Sequence, residues 1–82
     1  MKRDFKMKTT TKAIKELVTK EYNPKVYIVL KNMHAISATL ITEESDGPRL
    51  VLANVYDHTL GSKLSGTHIA YSKNVNKIME VL

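Results

Sequence analysis

The stretch NPKVYIVLKNMHAISATL, residues 23–40, changes the period of the apolar residues, and no other feature constrains the fold as much. Before it, TKAIKELVTKEY places Ala13, Ile14, Leu17 and Val18 on one helical stripe, with Lys12, Lys15, Glu16 and Lys20 on the rest. The spacing predicts an amphipathic helix over residues 11–22. Threonines 9–11 are available as its N-cap, and Pro24 ends it by disfavouring a helical Asn23. After Pro24 the apolar residues alternate. Val26, Ile28 and Leu30 form one strand, Lys31-Asn32-Met33-His34 break it, and Ile36, Ala38 and Leu40 form a second.

The rest of the chain keeps to short extended segments. Glu43 to Pro48 is a turn by composition, Leu50 to Tyr56 a third strand, Asp57 to Gly66 a polar loop and Thr67 to Tyr71 a fourth strand. Val75, Ile78, Met79 and Leu82 fit either a last strand or a terminal helix, and their period leaves both open. One helix followed by four or five short strands predicts a mainly β fold. A small, strongly bent antiparallel barrel suits it, because closing a sheet removes its exposed edges.

At 82 residues the chain is one domain, able to bury only about 60–65% of its unfolded surface. Domains this small usually gain stability from disulfides, metals or association. Cysteine is absent, and His34, His58 and His68 lack ligand-like spacing, so association is the expected source. No metal or cofactor is expected. No apolar run approaches a membrane span, and MKRDFKMK lacks the apolar stretch of a signal peptide, so a cytoplasmic protein is expected.

The net charge of +5 lies in the N-terminal part, where Lys2, Arg3, Lys6, Lys8, Lys12, Lys15 and Lys20 face only Asp4 and Glu16. Residues 1–10 read as a basic, flexible arm and 11–82 as the domain. Such an arm attracts phosphate backbones with strong salt dependence, or it simply solubilises. There is no Gly-rich phosphate loop, nucleophile elbow or HExxH, so no enzyme is expected. Glu43, Glu44 and Asp46 cluster in a turn without basic or histidine partners and read as solvated.

Over residues 11–81 the order of elements resembles the Sm-like (LSm/Hfq) family. KVYIVLKNMHAISATL is similar to its first motif, RLVLANVYD to its third strand, and IAYSKNVNKI to its second motif, with Tyr71 where Hfq proteins place the tyrosine of a Tyr-Lys-His turn. The resemblance implies an N-terminal helix and a five-stranded SH3-like barrel that assembles into a homo-oligomeric ring. It also implies binding of single-stranded RNA at pore-side turns, here through Arg49, Tyr71, Lys73 and Asn74.

The chain departs from the family pattern at several positions. Met33 and Ala38 stand where the family favours glycine, and EESDGPR carries no stacking ring, with Arg49 at the usual asparagine position. Tyr71-Ser72 replaces Arg-Gly, and Lys73 takes the histidine position. Two alternatives follow. One is an oligomeric scaffold or inhibitor on the same barrel without RNA. The other is a double-stranded-RNA-binding domain, which requires a helix over residues 73–82.

Overall fold

In the computed structural model, which describes residues 10–81, the chain forms one helix and an antiparallel sheet. Helix α1 spans Thr10–Val18 and buries Ile14 and Leu17, the inner half of the expected stripe. It is shorter than the predicted 11–22. The Thr19 hydroxyl donates to the Glu16 carbonyl at 2.9 Å, a local bond that competes with continuation of the helical ladder. The expected basic arm, apart from Thr10, lies outside the described residues, as does the Thr9 part of the expected cap.

The strands are β1 (Lys25–Leu30), β2 (Ala35–Leu40), β3 (Arg49–Asp57), β4 (Ser62–Lys63), β5 (His68–Tyr71) and β6 (Val75–Glu80). Short 3-10 turns lie at Thr42–Glu44 and Ser72–Asn74. The ladder runs β4-β3-β2-β1-β6, with β5 also on β3. Strand β3 is long enough to serve two partners on one side. Its residues Arg49 to Leu52 pair with β5, and Tyr56 and Asp57 pair with β4. Between the two halves Asn54 has φ 53°, a left-handed conformation that asparagine tolerates better than most side chains. The β2–β3 register shifts nearby, between Ser37 and Thr39.

The open question at the C-terminus is settled in favour of a strand. Val75–Glu80 pairs with β1, placing Ile78 opposite Ile28, both buried. The helix over 73–82 that a double-stranded-RNA-binding domain requires is not formed. Packing decides where period could not, because a strand closes over the apolar row of β1.

The core takes one side chain from almost every alternating position: Val26 and Ile28, Ile36 and Leu40, Leu50 and Leu52, joined by Ile14 and Leu17 from α1. Each of the large ones gains about 1.5–3 kcal/mol from leaving water. The hydrogen-bonded ladder does not close on itself. β5 and β6 are consecutive, but the Ser72–Asn74 turn carries the chain from the β3 side to the β1 side without pairing them. Neither has a second strand partner among the described residues, and on β6 the Asn76 carbonyl accepts from the Thr10 hydroxyl of α1 at 2.9 Å.

Candidate nucleic-acid interface

The Ser72–Asn74 turn is held from both sides. The Ser72 N–H donates to the Pro48 carbonyl at 2.9 Å, and the Ser72 hydroxyl donates to the Gly47 carbonyl. On the other side the Lys31 N–H donates to the Asn74 carbonyl at 2.8 Å. The turn thus links the tip of the β1–β2 hairpin to the loop before β3. That loop is braced internally. Ser45 Oγ donates to the Ile41 carbonyl and accepts from the Val51 N–H, both at 2.8 Å. Asp46 and Arg49 exchange two bonds of 2.9 Å, one between backbones and one from the Arg49 N–H to Asp46 Oδ1.

The four residues singled out from sequence divide around this corner. Arg49 and Tyr71 are register partners across β3 and β5, so their side chains leave the sheet on one face. Both are exposed, Tyr71 at 46%. No carboxylate pairs with the Arg49 guanidinium among the described residues, and Asp46 meets its backbone instead. Tyr71 and Asn74 share the rim of a cleft. Lys73 lies apart from Arg49, in a groove with Lys31, Ser72 and the start of α1. The structure brings together Arg49 with Tyr71, Tyr71 with Asn74, and Lys73 with Lys31.

Two features escaped the sequence. The first is a row of register partners across the outer sheet face: Met79, Tyr27, Ser37, Tyr56 and Lys63. His58 sits in its middle, with Nε2 2.5 Å from Ser37 Oγ and its ring 5.6 Å from Tyr27 and 4.9 Å from Tyr56. Lys25 and Lys77 share that face by alternation, and neither they nor Lys63 form an ion pair among the described residues. Odd-numbered spacing in KVYIV hinted at this face, but its register against Ser37 and Tyr56 was not readable.

The second feature is Asp57, buried at 6% exposure on the core side of β3. Its Oδ1 accepts from the Thr59 and Leu60 N–H groups at 2.9 and 3.0 Å, and Oδ2 lies 3.8 Å from His34 Nε2. Placed at the start of a polar loop, it gave no sign in the sequence of facing inward.

Among the described residues, no group of three or more His, Cys, Asp or Glu is arranged to hold a metal ion. No helix there is long and apolar enough to cross a membrane. The chain is a small, mainly antiparallel β protein with one N-terminal helix and a cationic, aromatic corner. Compared with models of known families and with curated proteins, it matches none.

Proposed function

We propose that this chain is a non-enzymatic, cytoplasmic Sm-like protein that forms a homo-oligomeric ring and binds single-stranded RNA. The observation that carries the reading is the Arg49–Tyr71 pair, set where the Ser72–Asn74 turn is bonded to the loop before β3. A guanidinium beside an exposed ring supplies phosphate attraction and a base-stacking surface in one place. Lys73 and Lys31 add charge on the helix side, and Asn74 supplies a polar rim beside Tyr71. The cationic sheet face extends the attraction to a polyanion.

The open edges of β5 and β6 support assembly. Apart from the Asn76 carbonyl, which Thr10 takes, each strand carries outer backbone groups that a neighbouring copy can pair, with β5 of one subunit against β6 of the next. In that arrangement the bent sheet with its 3-10 corner acts as an SH3-like barrel. A second reading, an oligomeric scaffold without RNA, is favoured by the exposed Glu43 and Glu44 and by the lack of an aromatic in their loop.

A native mass measured before and after nuclease treatment separates the two. An assembly that sheds nuclease-sensitive mass is the expected result. An assembly carrying no RNA and binding none when it is added favours the scaffold. A monomer that does not bind RNA overturns both.

A further inference from the structure

The cleft whose rim holds Tyr71 and Asn74 has a volume of about 260 Å³. That is below the range of drug-sized sites and suits a single heterocycle. Its walls are apolar, with Leu30, Leu52 and Leu64 among them, and the polar groups His34, Asp57 and His68 converge on it. Asp57 is the unusual member. Its carboxylate is more than nine-tenths buried, and Oδ1 is fully engaged with the Thr59 and Leu60 N–H groups. Among the described residues Oδ2 meets only His34 Nε2, at 3.8 Å, too far for a hydrogen bond. A buried carboxylate oxygen without a donor is costly, and a ligand that brings an N–H into the cleft relieves that cost.

We infer that this cleft takes one nucleobase and reads its exocyclic amino group, favouring adenine or cytosine over uracil. The inference rests on the RNA-binding reading and adds a base preference to it. An exocyclic amino group projects from the ring and can reach a recessed Oδ2. The N–H of uracil lies between two carbonyl oxygens, which the carboxylate repels. In adenine and cytosine a ring nitrogen that accepts a hydrogen bond stands beside the amino group. His34 Nε2, next to Oδ2, is placed to donate to it in the tautomer that carries hydrogen there. In guanine the amino group stands between an N–H at N1, which offers the His34 donor nothing, and the N3 acceptor on the sugar side. Tyr71, by alternation along β5, leaves the sheet on the opposite face to Ala70 and His68, so the cleft reads the base through its walls and not through that ring.

Fluorescence anisotropy of labelled A6, C6 and U6 with the full chain tests this. A6 and C6 are expected to bind roughly tenfold tighter than U6, the discrimination of one well-made base contact. In Asp57→Asn, the Thr59 and Leu60 N–H groups keep the amide oxygen at the Oδ1 position, so an NH2 donor replaces Oδ2. The preference is then expected to vanish or to turn toward U6. Ala70→Leu, which fills the cleft and leaves Asp57 intact, is expected to level the three affinities, so the test survives an Asp57 variant that fails to fold.

Equal binding of all three by the wild type overturns the base preference and leaves the RNA reading standing. So does a preference that persists unchanged in a folded Asp57→Asn, or in Ala70→Leu. Failure of all three to bind removes the RNA reading itself, and the inference with it.

Discussion

Ser72 donates its backbone N–H to the Pro48 carbonyl at 2.9 Å, so the turn between β5 and β6 and the loop entering β3 move as one piece. Arg49 follows Pro48 and Tyr71 precedes Ser72, which is why those two side chains keep a fixed relation. A site spread over two loops is thereby held by a strand ladder, and its members can be tested separately.

Tyr71→Ala is expected to cost ~1–3 kcal/mol of affinity for single-stranded RNA with little change in salt slope, since stacking releases no counterions. Arg49→Ala and Lys73→Ala are each expected to weaken binding evenly across sequences and to flatten the slope by about one unit or less. Titrations at several salt concentrations distinguish the two behaviours. An Arg49→Ala variant with an unaltered slope would remove that residue from the phosphate path.

Ile69, 48% exposed on β5, lies opposite Val51 and beside the open edge. Ile69→Glu places a charge at the proposed subunit contact and is expected to shift the particle toward smaller species in sedimentation. The fold should survive, because the side chain is not in the core.

Met33 holds φ 72° with its side chain 71% exposed, a conformation that costs an L-residue ~1–2 kcal/mol. Glycine accepts it but loses more chain entropy on folding. Met33→Gly is therefore expected to stabilise by about 0.5–1 kcal/mol, raising Tm by several degrees in a melt. A lowered Tm would show that the exposed thioether packs against something in solution.

The Tyr22 hydroxyl donates to Glu80 Oε2 at 2.7 Å, and this bond is the main reason its pKa is raised above the ordinary tyrosine value. Burial and the Glu80 charge act in the same direction. A pKa raised on folding stabilises fully below the unfolded value near ~10 and is lost as pH rises through the folded one. Alkaline melts should show a small loss of stability in that window, absent in Tyr22→Phe. Glu80→Gln should bring the phenol back toward its usual range in an absorbance titration.

Much of the architecture was legible in the sequence. Alternation in KVYIVL and AISATL fixed β1 and β2, because a sheet with one buried face imposes a strict period of two. The C-terminus was not legible. Val75, Ile78 and Met79 satisfy a helical stripe as well as a strand, and only the row opposite, with Ile28 facing Ile78, decides. The site was legible in part. Arg49 and Tyr71 turn out to be register partners on β3 and β5, a pairing that sequence did not give, whereas Lys73 lines a groove with Lys31 on the helix side. Asp57 was hidden because sequence shows a carboxylate in a polar loop and not the two N–H groups that draw it inward.

Strand β3 carries one neighbour on its first half and another on its second, with Asn54 as the joint between them. The two ends of the molecule are thus separate territories on one beam. The exposed tip from Gly61 to Lys63 can change its chemistry while the Arg49–Tyr71 corner stays in place, whereas His58, Thr59, Leu60 and Leu64 are tied to Ser37, Ala35, Asp57 and Val55. A lineage of such chains would be free to remodel one end for new neighbours and hold the other constant, with the boundary drawn at a single asparagine.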